Sequence, residues 1–179
     1  MTRLDDVLPR SITPPTWRTR AADVAIGSIP LAVGSISSLA TMSGLRVWYR
    51  TLERPSWKPP DAAFGPVWTT LYALMGVALV RVVRAPERSR GGSSATARAI
   101  GLGLFAVQLA LNGAWSWIFF SEHALGAALA EILVLWLAIL ATIGAFASVR
   151  PSAAALLVPY LGWVTFATVL TAWIWQHNR

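Results

Sequence analysis

The sequence predicts an all-α integral membrane protein, a bundle of five transmembrane helices. Three observations carry that prediction. Of 179 residues, 55% are hydrophobic and 13% charged, about half the charged share (roughly 25%) of a soluble domain. The apolar residues gather in five runs of about 20, the length that crosses a bilayer core as helix. The Lys and Arg residues flank these runs, so the net charge of +7 reads as membrane orientation and not as nucleic-acid affinity. Five spans consume most of the chain and leave no room for a Rossmann unit or a nucleic-acid module. The absence of Cys excludes disulfides, thiolate nucleophiles and Cys-ligated metals.

Residues 1–20 form a polar tail in which Asp5, Asp6, Arg3, Arg10, Arg18 and Arg20 surround Pro14-Pro15. This is expected to be loosely ordered and lacks the apolar core of a signal peptide. The membrane domain is expected over 21–179. Its first helix spans about 22–42, is rich in small residues (Gly27, Ser28, Gly34, Ser35, Ser37, Ser38) and carries Pro30 as a kink. The second spans about 62–83, the third about 97–120 and the fourth about 125–148. The fifth spans about 152–176, with Pro151 tolerated at its start and Pro159 as an internal kink. Residues 44–61 form a long aromatic loop, 84–96 a flexible Gly/Ser/Arg-rich one, and the last two connections are tight turns.

Ten Lys and Arg residues lie on the side of the tail, second loop and fourth loop, and five on the side of the first loop, third loop and C-terminus. The bias predicts a cytoplasmic N-terminus, with the first loop and the C-terminus sharing the opposite face; the location expected is a bacterial cell membrane.

The third helix divides into two faces. At 100° per residue Gln108, Asn112, Trp115 and Phe119 share one stripe, and Gly103, Ala106, Ala110 and Ala114 the opposite one. Amides facing lipid are costly, so Gln108 and Asn112 are expected inside, as interhelical glue or as ligand contacts. The small stripe serves packing within one chain or a homodimer seam. The second helix aligns Phe64, Trp68, Tyr72 and Met75, and the fifth aligns Trp163, Phe166, Ala167 and Leu170. Trp17, Trp117, Trp173 and Trp175 read as interfacial-belt residues. Trp68, Trp115 and Trp163 lie deeper, where they either pack the core or wall a slot for a planar ligand.

In the first loop Trp48, Tyr49 and Trp57 alternate with Arg46, Arg50, Arg54 and Lys58, stiffened by Pro55, Pro59 and Pro60. It suits a lid over a flat ligand with anionic arms, or a loop resting among headgroups. Glu131 is the clear carboxylate of the fourth helix, and Asp23 an acid at the start of the first. His123 and His177 form no ligand cluster, so no metal is expected. No hydrolase triad has a strand-turn-helix context.

These residues carry a family resemblance. Trp48-Tyr49, Pro55-Ser56-Trp57, Pro59-Pro60 and Phe64-Gly65-Pro66-Val67-Trp68-Thr69, followed by Gln108-Leu109-Ala110-Leu111-Asn112, Trp115-Ser116 and then Pro159-Tyr160-Leu161, Trp163 and Phe166-Ala167-Thr168-Val169-Leu170, resemble the tryptophan-rich sensory protein/translocator protein (TspO/MBR) family over about 22–178. The resemblance implies a five-helix bundle that binds porphyrin or haem as its ligand under the first loop, with no cofactor required. By position it implies a ligand site of Trp48, Tyr49, Trp57, Phe64, Trp68, Tyr72, Asn112, Trp115, Glu131, Trp163, Ala167 and Leu170; the dimer interface expected from the small stripe itself is Gly103, Ala106, Ala110 and Ala114. Thr171-Ala172 and Gln176 depart from the pattern of sterol-binding members, which argues against sterol binding. The leading expectation is a tetrapyrrole-binding sensor, scavenger or carrier. The alternatives are light- and oxygen-dependent porphyrin breakdown using Trp68 and Trp163, and a small-molecule transporter, for which the sequence shows no inverted repeat.

Overall fold

The computed structural model describes residues 17–46, 48–86 and 93–179; most of the polar tail and the second-loop residues Arg88 and Arg90 lie outside the described residues. Helix α1 covers Trp17–Arg46, α2 Trp48–Thr51, α3 Asp61–Val83, α4 Ser93–Phe120 and α5 Leu125–Val149. The last span is α6 (Pro151–Ala154), a 3-10 turn (Ala155–Leu157) and α7 (Val158–His177). Among the described residues there is no strand.

Five segments are long and apolar enough to cross a membrane, the shortest being 21 residues. At 1.5 Å per residue that is about 32 Å, enough for a hydrocarbon core of roughly 30 Å. α1 begins five residues before its expected start and α4 four. A helix continues past the hydrocarbon wherever its residues tolerate helix, and the apolar pattern reports only the part in lipid. Pro30 lies inside an uninterrupted α1. Pro159 acts differently: it has no N–H for the carbonyl of Ala155, and the chain tightens into the 3-10 turn just before it.

Around the bundle α1 packs on α3 and α4, α4 on α5, α5 on α7, and the α6 and 3-10 segment closes back on α3. Two contacts set the approach of α1 to α3. A Cβ on Gly76 would meet the Gly27 carbonyl oxygen at 2.0 Å, and one on Gly34 would meet the Tyr72 ring at 2.2 Å. Glycine at these positions lets a backbone and a phenol ring lie flat against the facing helix. The core between the helices holds Met75, Val82, Phe146 and Tyr160, with Phe105 and Phe146 stacked at 5.7 Å.

The connections are tied as firmly. His123 turns the α4–α5 corner with φ 56, a left-handed conformation that His tolerates better than most side chains. Its ring stacks on Trp48 at 4.1 Å. At the other end Arg84 pairs with Asp23 at 2.7 Å, which joins α3 to the start of α1.

Candidate functional site

α3, α4 and α7 present their aromatic faces to one another, and the rings are too large to close the space between them. The result is a cavity of about 430 Å³, within the roughly 300–1,000 Å³ of small-molecule sites. Its walls come from residues 31–42 of α1, the N-terminal half of α3, the C-terminal end of α4 and residues 163–174 of α7, with Tyr49 of α2 at the loop end. Trp68 meets Trp163 edge to face at 6.5 Å and stacks on Tyr72 at 5.4 Å. Phe64 sets its edge on Trp163 at 5.7 Å, and Trp115 stacks on Phe119 at 5.0 Å. Such offset and edge contacts hold each ring at a defined angle.

Behind this wall runs a polar strut. The Tyr72 hydroxyl donates to Asn112 Oδ1 at 2.6 Å, and Asn112 Nδ2 donates to the Tyr160 hydroxyl at 3.0 Å. Asn112 therefore joins α3, α4 and α7. Gln108, one turn away and 1% exposed, has no partner for either amide atom. Trp115 Nε1–H is also buried without an acceptor, and its ring belongs to the cavity wall.

The first loop reaches the cavity at Tyr49. Asn178, at the end of α7, accepts from the Glu53 N–H at 2.8 Å and donates to the Glu53 carbonyl at 3.1 Å and the Ile174 carbonyl at 2.8 Å. This clamp puts the loop and the C-terminus at one end of the bundle. The Arg54 guanidinium lies 5.5 Å from the centre of the Tyr49 ring and the Lys58 ammonium 5.9 Å, and Lys58 is paired with Asp61. Burial, helped by the Asp61 charge and opposed by Arg54, pushes the Tyr49 hydroxyl up to about 12.

Of the ligand positions expected from the sequence, the cavity wall holds Tyr49, Phe64, Trp68, Tyr72, Trp115, Trp163, Ala167 and Leu170. Four lie outside it. Trp48 packs on Phe119 and His123, Trp57 sets its edge on the wall residue Phe166 at 5.9 Å, and Asn112 stands behind Tyr72. Glu131 is on α5, which contributes no wall residue; both its carboxylate oxygens are buried without a partner.

Sequence reasoning missed the α1 wall of Gly34, Ser37 and Thr41. Its small residues are visible in the sequence, but nothing in their pattern says which helix they face. The hydroxyls turn back on their own helix, Ser37 to the Val33 carbonyl at 2.9 Å and Thr41 to the Ser37 carbonyl at 3.2 Å, so this polar-looking stripe faces the cavity with its donors already used. Trp136 was missed as well, and it donates to Thr165 Oγ1 at 2.8 Å between α5 and α7.

The expected belt residues Trp117, Trp173 and Trp175 gather at the loop end. Trp117 donates to Glu122 at 3.0 Å, Trp173 stacks on His177 at 3.7 Å, and Arg179 covers Trp175 at 4.2 Å. On the far side of α4, Gly103, Ala106 and Ala110 are exposed and Ala114 half-buried, and a Cβ on Gly103 would meet nothing within 4 Å. Among the described residues no group of His, Asp and Glu could hold a metal ion.

Comparison with known proteins matches residues 26–176 to the TspO/MBR family. The chain is 44% identical over 148 residues to the tryptophan-rich protein TspO of Chlorobaculum tepidum, covering 83% of this chain and 90% of that one. It is 44% identical over 136 residues to the translocator protein of Homo sapiens, covering 76% and 77%. It is 40% identical over 123 residues to the tryptophan-rich sensory protein of Cereibacter sphaeroides, covering 69% and 72%. With five helices able to span a membrane, an aromatic cavity under the first loop and a family match over most of its length, the chain is an integral membrane protein of the TspO/MBR family.

Proposed function

We propose that this protein binds a tetrapyrrole, porphyrin or haem, within the membrane and acts as a sensor, scavenger or carrier of it. The observation that carries the reading is the cavity itself. Trp68, Trp115 and Trp163 supply flat faces for a planar macrocycle, while Arg54, near the ring of the wall residue Tyr49, suits its carboxylate arms. The Trp115 N–H adds a buried donor for an acceptor on the ligand. The ligand is bound as cargo, and the protein needs no cofactor of its own. Sterols are not expected to bind, because Thr171 and Gln176 replace the pattern of sterol-binding members.

The protein is further proposed to be a homodimer joined along Gly103, Ala106, Ala110 and Ala114, the exposed small-residue face of α4. Its N-terminus is proposed to be cytoplasmic, from the Lys/Arg bias, and its location a bacterial cell membrane. A second reading, light- and oxygen-dependent porphyrin breakdown, draws on the contact of two oxidisable rings, Trp68 and Trp163.

The deciding experiment is a titration of purified protein with protoporphyrin, haem and a sterol, followed by Trp fluorescence in the dark and in light. Saturable quenching by the tetrapyrroles and none by the sterol supports binding. No quenching by either tetrapyrrole would remove it.

A further inference from the structure

At the end of the bundle opposite the aromatic cavity lies a second hollow of about 260 Å³, with Arg150 in its wall. Its walls come from two chain corners, Ala85 and Pro86 beyond α3, and Val149, Arg150, Pro151 and Ser152 where α5 turns into α6. Backbone chemistry brings cations here. The α5 helix ends on Arg150, which takes an extended conformation (φ −152) so that Pro151 can open α6. That turn places an arginine at the wall.

Two further guanidiniums are pinned to carbonyls of wall residues. Arg81 of α3 donates from Nη1 to the Ser152 carbonyl at 3.2 Å. Arg98 of α4 donates from Nη2 to the Ala85 carbonyl, and its Nε–H is buried with no acceptor. Each guanidinium has five N–H donors, so most of this capacity is unspent. Among the described residues the ion pair at this end is Arg84 with Asp23, and none of Arg81, Arg98 and Arg150 has a carboxylate partner. One cation in the wall and two more held at wall carbonyls, one of these with a buried unmet donor, repel each other unless an anion joins them.

We propose that this hollow is a phosphate-group site, with Arg150 of its wall as the principal ligand and Arg98 and Arg81, held at the carbonyls of wall residues, beside it. Guanidinium forks match the paired oxygens of a phosphate, and the site lies where the helices end, at the depth of lipid headgroups. The same chemistry is offered by the phosphodiester of an anionic lipid and by free phosphate. The site is independent of what occupies the aromatic cavity.

Native mass spectrometry on the full chain in mixed phosphatidylglycerol and phosphatidylcholine tests the lipid source. An amide-shift titration with inorganic phosphate, read at Ala85 and Ser152, tests the free one. Arg150→Gln is the safest variant, since the Arg150 side chain makes no hydrogen bond or ion pair among the described residues; Arg98→Gln with Arg150→Gln is the stronger one. Preferential retention of phosphatidylglycerol, reduced about fivefold or more in the double variant and less in Arg98→Lys with Arg150→Lys, supports the site with a lipid occupant. Saturable shifts with inorganic phosphate that vanish in Arg150→Gln support it with a free one. Equal retention of the two lipids together with no phosphate shifts, or a preference unchanged in both Gln variants, overturns the proposal.

Discussion

The Tyr72 hydroxyl donates to Asn112 Oδ1 at 2.6 Å, and the ring that carries it lies against Gly34, whose added Cβ would fall 2.2 Å from it. One side chain therefore does three things. It spaces α1 from α3, it ties α3 to α4, and its face forms part of the cavity wall. Because Asn112 passes the link on to Tyr160 of α7, the wall angles depend on a buried amide that has no water to replace its partners.

Tyr72→Phe removes one end of this strut and Asn112→Ala the middle. The first should cost about 0.5–1.5 kcal/mol, in line with hydrogen bonds between membrane helices. The second leaves two buried hydroxyls without their amide and should cost about 1–3 kcal/mol. Thermal unfolding in detergent checks the order, and Asn112→Ala as mild as Tyr72→Phe would mean that the strut does not act as one unit.

Gly76→Ala should be severe, because its Cβ would meet the Gly27 backbone oxygen at 2.0 Å and backbone cannot rotate away. Over-packing of this kind typically costs about 1–3 kcal/mol. Gly103→Ala meets nothing within 4 Å and should be neutral or stabilising in a monomer. Melting curves of the two variants side by side decide the matter.

These contrasts show what the sequence could carry. The five spans are legible because an apolar run as long as the bilayer is thick would be costly to leave in water. The ring stripes of α3, α4 and α7 are legible because helical periodicity alone aligns Phe64, Trp68 and Tyr72. The partners of each face are not. Periodicity says that Asn112 points inward but not that it meets Tyr72 and Tyr160, and it cannot separate Trp68 in the wall from Trp57 one ring behind it. Helix α2 escapes because four residues within a loop leave no period to read. The α1 wall escapes because Ser37 and Thr41 look polar in sequence, while each hydroxyl is consumed by its own helix.

Tyr49 should titrate late. Burial first, then Asp61, holds its hydroxyl neutral to about 12 against an ordinary value of 10.0, with Arg54 pulling the other way. Since the folded value lies above the unfolded one, the stabilisation is complete below the ordinary value and is lost as pH rises through the folded one. With Tyr72→Phe and Tyr160→Phe in place, tyrosinate absorbance should appear near pH 12. Asp61→Asn should lower that midpoint and Arg54→Gln raise it; a midpoint at the ordinary value would mean that Tyr49 is not buried in the folded protein.

Replacing Ala110 by Leu tests the proposed dimer without touching the cavity, since Ala110 is exposed on the side of α4 away from Gln108. A branched side chain there should hold two copies of α4 apart and shift the species in detergent toward monomer. Ligand titrations should be unchanged. A variant that stays dimeric places the interface on another face.

The last prediction separates a binder from an enzyme. Trp68 and Trp163 meet edge to face at 6.5 Å, and each supplies both surface and an oxidisable indole. Alanine removes both properties, so Trp68→Ala or Trp163→Ala should weaken porphyrin binding by about 1–3 kcal/mol, the usual worth of an aromatic anchor. Phenylalanine removes only the second. If the rings are walls, the Phe variants bind nearly as the parent does, and illuminated porphyrin bleaches at the parent's rate. If they act on the ligand, the Phe variants bind normally but lose a discrete product that the parent forms in light. The first outcome is expected, because Glu131 belongs to a helix outside the cavity wall and the carboxylate in that wall, Asp61, is held by Lys58, whereas catalysis needs a free acid-base group within reach of the reacting atoms. Chromatography of the illuminated complexes reads the difference directly: a discrete product from the parent, absent in both Phe variants, would make the indoles reactants and the protein an enzyme.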